Sequence, residues 1–246
     1  MLAIDTATRR AAVAIGSGRD APLALRSWEA GYRHGEELLS VLDEVLREAG
    51  TTLTSLSAVV VGTGPGAFTG LRVGLATAKG LAYGLRIPLI GVRSTAALAL
   101  AAWLAGGARL RYPETVVVMP AGPHDRYLAR YRVAPGGWDA SSAPGLAAVP
   151  VEEPELVPGG ESIVSKIATA TLVVVDLPAG PEIAADACEL GLAAQAGLGA
   201  ALLAAGREAL DRGRTDDVAA LVPAYVTLPR GIAARAEMIE WSRDHR

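Results

Sequence analysis

The sequence predicts an α/β protein built from two successive units, each a run of short strands followed by alternating helices and strands. Two observations carry this prediction. Short apolar runs alternate with segments of helical periodicity over residues 1–105, in the order βββαβαβα, and the pattern begins again after Gly106-Gly107. The chain has 246 residues and is 51% apolar, enough to bury cores of that size.

Each element has its own signal. MLAIDT and AAVAIG are apolar runs separated by a polar turn, and PLALRSW alternates as a third strand would. Leu38, Leu39, Val41, Leu42, Val45 and Leu46 follow helical spacing up to Gly50. SAVVVGT reads as a buried strand, and a glycine loop follows it. A helix is expected over 70–85, with Thr69 as its N-cap, then a strand at 87–92 and an alanine-rich helix over 94–105. In the second unit ETVVVMP and RYLARYRV read as paired strands, PGGWDASSAPG as a loop leading to AAVPVE, and SIVSKIA as a short helix. TLVVVDL is a buried strand, and one or two helices fill 182–211. The expected organisation is an N-terminal lobe over 1–106, a C-terminal lobe over 107–226 and a charged tail over 227–246.

Composition excludes several functions. Cys188 is the only cysteine, so no internal disulfide and no cysteine-built metal site is available. No uncharged apolar run of membrane-spanning length and no leader pattern is visible, which favours a soluble cytoplasmic protein. The net charge is -3, yet no acidic residue lies between Glu48 and Glu114, a stretch that holds Arg72, Lys79, Arg86, Arg93, Arg109 and Arg111. Such a stretch suits an acidic surface or a polyanion, and also an ordinary solvated face.

The segment GTGPGAFTGLRVGLATAKG, residues 62–80, invites a phosphate-loop reading. A Walker A loop needs a lysine beside its last glycine, and Lys79 lies far down the helix. Gly62, Gly64 and Ala67 fit a dinucleotide fingerprint formally, but the acidic residue needed to hold the ribose is missing downstream. The loop reads instead as a tight turn that launches a helix. In that helix Gly70, Gly74, Ala78 and Ala82 recur every four residues. Glycine costs a helix about 1 kcal/mol relative to alanine, so the repeat signals close approach by another surface.

The repeated βββαβαβα order resembles the two-lobed actin-like ATPase superfamily (the ASKHA, ribonuclease H-like fold). There the first hairpin faces the nucleotide phosphates, and the matching residues here are Asp5, Thr6 and Thr8. Residues 62–80 resemble more closely the hallmark GPGSFTGLRIGLATAKGLA of the bacterial TsaB (YeaZ) family. LAIDTAT at the start, HGEELLSVLDEVL at 34–46 and LVPAYV near the end resemble further elements of that family. The chain departs from the family at Pro120-Ala121-Gly122, where Asp-Ala-Arg is usual, at Ala67 in place of Ser, and after Tyr225.

The resemblance implies a non-catalytic scaffold that pairs with the related enzyme TsaD. With the ATPase TsaE, that assembly forms N6-threonylcarbamoyladenosine at position 37 of tRNAs reading ANN codons. It implies no cofactor of the chain's own, with any nucleotide at the junction with the partner, and a homodimer as an alternative pairing. The pairing surface it implies is Leu38, Leu42, Gly70, Arg72, Gly74, Ala78 and Ala82. Which of the first-helix apolar residues face outward stays open. A leucine at Gly74 is then expected to abolish pairing and leave the monomer folded.

No catalytic set of the chain's own is expected. The partner enzyme's metal is held by two histidines one helical turn apart, whereas His34 has no such companion and reads as a cap or surface group. No G-x-S-x-G elbow is present, and the adjacent pairs Glu36-Glu37, Glu152-Glu153 and Asp216-Asp217 point apart. Two rival readings are an actin-like ATPase or small-molecule kinase acting alone through Asp5 and Thr6, and a purely structural homodimer.

Overall fold

The computed structural model describes residues 1–30, 34–106, 112, 114–135 and 146–226. The tail expected over 227–246 lies outside the described residues, as does most of the junction near 107–113.

The first sheet contains β1 (Leu2–Asp5), β2 (Arg10–Ile15), β3 (Ala24–Glu29), β4 (Val59–Gly62) and β5 (Leu89–Val92), in the order β3-β2-β1-β4-β5. β1, β2 and β3 form an antiparallel meander, while β4 and β5 run parallel to β1. Helices α1 (His34–Glu48), α2 (Phe68–Leu85) and α3 (Ser94–Gly106) make the crossovers. The second sheet places β10 (Thr171–Val174), β6 (Glu114–Pro120), β7 (Arg126–Pro135) and β8 (Leu146–Pro150) side by side, with β9 (Glu155–Val157) also on β7. Helix α4 (Val164–Ile167) precedes β10, and α5 (Ala185–Asp211) follows it. The second unit thus repeats the first as far as its parallel strand. Among the described residues no counterpart of β5 follows.

Strand alternation decides which helices cover which face. Leu2, Ile4, Val13, Ile15, Val59 and Val61 point to one side of the first sheet and pack with Leu38, Leu42 and Val45 of α1 and Leu75, Ala78 and Ala82 of α2. Ala3, Ala12, Ala14, Ala58 and Val60 point to the other side, where they join α3, α5 and the inner face of the second sheet in one continuous core. Val117, Met119, Ala129, Tyr131 and Val173 are the second sheet's share of that core. Its opposite face packs Val116, Val118, Leu128 and Val174 against Ile163, Ala170 and Ile183.

The layers therefore run α1–α2, first sheet, α3–α5, second sheet, α4. α3 suits the middle layer because its residues Ala97–Ala102 are buried on every side. α5 is long and apolar enough to cross a membrane by length and composition, but its apolar surface packs between the two sheets. Small residues let it lie close: a side chain at Gly206 would collide with Val60 of β4.

Candidate functional site

The glycine loop sits at the carboxyl ends of β1, β4 and β5, where parallel sheets place their ligands. Its polar atoms are turned toward the protein itself. The buried Asp5 carboxylate accepts the Ser94 hydroxyl at 2.6 Å through one oxygen and the Ala7 amide at 2.8 Å through the other. Ser94 opens α3, and its Oγ also accepts the Gly64 amide at 3.0 Å, while its own amide donates to the Gly64 carbonyl at 2.8 Å. The Ala67 amide donates to the Ala7 carbonyl at 2.7 Å. A side chain at Gly62 would strike the Asp5 carboxylate, and one at Gly66 the Ala7 backbone. The loop therefore wraps the turn that follows β1.

Thr6 and Thr8 are buried as well. Thr6 donates to the Gly70 carbonyl in the first turn of α2 at 2.7 Å. Thr8 donates to the Arg10 carbonyl at 2.7 Å and accepts from Gln195 of α5 at 3.2 Å. Asp5, Thr6 and Thr8, expected to face a nucleotide, are buried and tie β1 to α2, α3 and α5. A cleft of about 930 Å³ does open at the carboxyl ends of β6 and β10, walled by turns within 122–126, 158–160 and 177–183, and none of the three lines it.

Between these regions lies a link across the two sheets. Asp176, at the end of β10, accepts the Arg9 amide at 2.7 Å and the Gln195 side-chain amide at 3.0 Å. It holds a left-handed backbone conformation with φ of 58°, which an aspartate tolerates better than most residues. A second link joins α3 to β7, where Thr95 meets the Tyr131 hydroxyl at 2.7 Å. Burial pushes the Tyr131 phenol's pKa up. Sequence reasoning missed Ser94, Thr95, Tyr131, Asp176 and Gln195. Only Ser94 carried a signal, as a serine between a strand and a helical run.

The helix pair α1–α2 corrects the expected pairing surface. Gly70, Gly74, Ala78, Ala82, Leu38 and Leu42 are all buried, so six of the seven residues serve the chain's own core. The four-residue ladder seats α2 on its own sheet. A side chain at Gly74 would run into the Thr6 hydroxyl, so a leucine there disrupts the fold, contrary to the expectation from sequence. Arg72 alone of the seven is exposed. The helix also starts earlier than expected, at Phe68, with Ala67 at its N-cap position and no side-chain cap there.

The outward face of the pair is different in kind. Leu39 is 62% and Tyr83 79% exposed, and an added Cβ at Gly80 or Gly84 would meet nothing. Along the flank of α2 runs a strap formed by residues 212–226. Asp216 pairs with Leu89 at the edge of the first sheet and accepts the Gly91 amide at 2.7 Å. Lys79 donates to the Ala219 carbonyl at 3.0 Å, and the Ala224 amide donates to the Thr63 carbonyl at 2.8 Å. Tyr225 then lies on Phe68, ring centroids 5.6 Å apart, with the Arg72 guanidinium 5.2 Å from the Phe68 ring centre.

Comparison with known proteins now decides the family. The family model described as "TsaD: tRNA N6-adenosine threonylcarbamoyltransferase" matches residues 28–227. The tRNA threonylcarbamoyladenosine biosynthesis protein TsaB of Escherichia coli (strain K12) is 38% identical over 108 residues, which are 44% of this chain and 46% of that protein. The chain is a TsaB/YeaZ-type member of the TsaD family. TsaB of Haemophilus influenzae is 36% identical over 107 residues, covering 42% of this chain and 43% of its own length. The match thus spans about half the length of these curated relatives. YeaZ from Pseudomonas aeruginosa superposes with a TM-score of 0.64 at 22% identity over 91% of this chain and 98% of that one, a likeness of fold. The α/β arrangement of two mixed sheets expected from the strand order is the fold this chain shares with that structure.

Proposed function

We propose that this chain is a non-catalytic subunit in the synthesis of N6-threonylcarbamoyladenosine at position 37 of ANN-decoding tRNAs, and that it docks a TsaD-type partner on the outward face of α1 and α2. One observation carries the docking surface. Gly74 is required by the chain's own packing and Gly70 is buried, but Gly80 in the helix interior and Gly84 in its last turn have open space where a side chain would be. A glycine at position 80, which costs a helix interior about 1 kcal/mol and has no internal neighbour, answers to a surface outside the chain, and Gly84 extends the same small-residue face. The exposed Leu39 and Tyr83 frame them, and a contact that admits a helix at close range needs such small residues between larger apolar ones.

The names of the relatives support the pathway, since both TsaB proteins carry threonylcarbamoyladenosine biosynthesis in their description. The turn of Asp5, Thr6 and Thr8 supports the non-catalytic part of the reading, because its polar groups are engaged with β1, α2, α3 and α5. In this reading a TsaE-type ATPase completes the assembly, any nucleotide sits at the subunit junction, and the assembly works in the cytoplasm.

Gly80→Leu tests it, because the substitution favours the isolated helix and blocks only an outside surface. The expected result is an unchanged or raised melting temperature with loss of co-purification with the TsaD-type subunit. Retained pairing would overturn the docking face. Depletion of the chain, read by mass spectrometry of tRNA nucleosides, tests the pathway: undiminished threonylcarbamoyladenosine would overturn that part. A homodimer through the same face would show as a concentration-dependent doubling of mass that Gly80→Leu removes.

A further inference from the structure

Three of the six cations noted in the acid-free stretch of sequence, Arg72, Lys79 and Arg86, gather on one flank of α2. At about 100° per residue, Phe68, Arg72 and Lys79 lie within about 40° of one another around the helix axis, and Arg86 follows on the same line at the C-terminal cap. Arg72 and Arg86 are exposed, and among the described residues none of the three cations has a carboxylate partner: Arg72 rests on a ring and Lys79 on a carbonyl. The nearest acids on the strap are occupied, Asp216 by the Gly91 amide and Asp217 by the amides of Ala219 and Ala220. At the head of the line, the chain's only phenylalanine meets Tyr225, whose side chain stays 39% exposed. The next exposed aromatic, Tyr83, stands at the border between this flank and the docking face.

We infer that this flank binds a single-stranded RNA segment directly, with an unpaired base on the Phe68–Tyr225 rings and phosphates along Arg72, Lys79 and Arg86. Cations spaced by two helical turns stand about 10 Å apart, and their long side chains form a positive track along which a single-strand backbone can run. Aromatic faces beside unpaired guanidinium groups are the means by which proteins hold unstacked bases in loops. A folded acidic protein would find one exposed charge per two turns and an aromatic pair set to one end, a poorer fit. The choice of RNA over DNA rests on the function proposed above, and the contact itself does not.

Fluorescence anisotropy of the isolated full-length chain with a labelled RNA hairpin, and with the same stem closed as a blunt duplex, tests the inference. The hairpin is expected to bind more tightly, with log K falling against log salt at a slope of about -2, as three neutralised phosphates on a single strand require. The double variant Arg72→Gln, Arg86→Gln is expected to weaken hairpin binding about tenfold and to flatten that slope. Tyr225→Leu keeps an apolar contact on Phe68 and is expected to lose about tenfold on the hairpin and little on the duplex. Absence of hairpin binding, equal binding of hairpin and duplex, or indifference to the arginine pair would each overturn the inference, as would tighter binding of a polyglutamate peptide. The same variants should still co-purify with the TsaD-type subunit. That outcome separates failure of the RNA contact from failure of the pairing reading.

Discussion

The Ser94 hydroxyl donates to the Asp5 carboxylate across 2.6 Å in a fully buried site, joining the end of β1 to the start of α3. Because Ser94 Oγ also accepts the Gly64 amide, one hydroxyl fixes the first strand, the glycine loop and a middle-layer helix together. A carboxyl group buried this way is held by its hydrogen bonds and is costly to leave without them.

Removing the carboxylate should therefore act on stability. Asp5→Ala strands the Ser94 hydroxyl and the Ala7 amide, and the expected loss is about 2–4 kcal/mol. Ser94→Ala should cost about 1–3 kcal/mol, since it removes a bond to a buried acceptor. Urea unfolding curves check both; midpoints unchanged from the wild type would contradict this account of the loop.

Gly74 and Gly84 of α2 should respond to substitution in opposite directions. Gly74→Leu meets Thr6 and is expected to destabilise by more than about 3 kcal/mol or to prevent folding. Gly84→Ala faces open space and is expected to stabilise by up to about 1 kcal/mol. Thermal melts of the two variants side by side give the comparison, and a stable Gly74→Leu protein would refute the seating of α2.

The contrast explains why the strand order could be read from sequence and the docking face could not. Apolar alternation and helical spacing report burial, so VVVG, LIGV and the α1 stripe through Leu38 and Leu42 were legible as elements. A small-residue ladder reports only that something comes close. Whether that something is Thr6 of the same chain or a second protein depends on tertiary placement, which the period of four does not encode. β9 was missed because three residues carry no period, and the strap because a single bridge at Asp216 has no pattern. The merging of α1–α2 and α3–α5 into separate layers around one sheet likewise follows from which strand faces are alanine and which are Val, Leu and Ile, a distinction visible only once the register is known.

Asp176 offers a third test. Its left-handed backbone suits Asn or Gly better than Ala, and its two oxygens serve Arg9 and Gln195. Asp176→Ala should cost about 2–3 kcal/mol by combining backbone strain with lost hydrogen bonds, whereas Asp176→Asn should cost less than half of that. Hydrogen exchange at the Arg9 amide is the local readout. Equal effects of the two substitutions would remove Asp176 from the link between sheets.

Acid should act partly through Glu182. Its carboxyl pKa is held below the usual range by hydrogen bonds from Ser162 and Arg126, the latter at 3.1 Å. A depressed folded value means the stabilisation is present above the unfolded carboxylate pKa and is lost as pH falls through the folded one. The melting temperature should fall below about pH 4, and Glu182→Gln should make that fall shallower while lowering the neutral-pH value slightly. A parallel pH profile for wild type and variant would exclude this contribution. Glu114, lowered by Arg132 and Arg130, works in the same direction and sets what remains.

α5 is the last helix of the described chain, and it completes the first sheet as well as the second. During synthesis the alanine face of β1, β2 and β4 therefore emerges long before its cover does. A nascent chain halted before residue 185 would carry a finished α1–α2 layer and an apolar sheet face still lacking its α5 cover. Release from that state waits for the final helix, so the outward face of α1–α2 can be shaped before the molecule that presents it is able to leave the ribosome as a stable body.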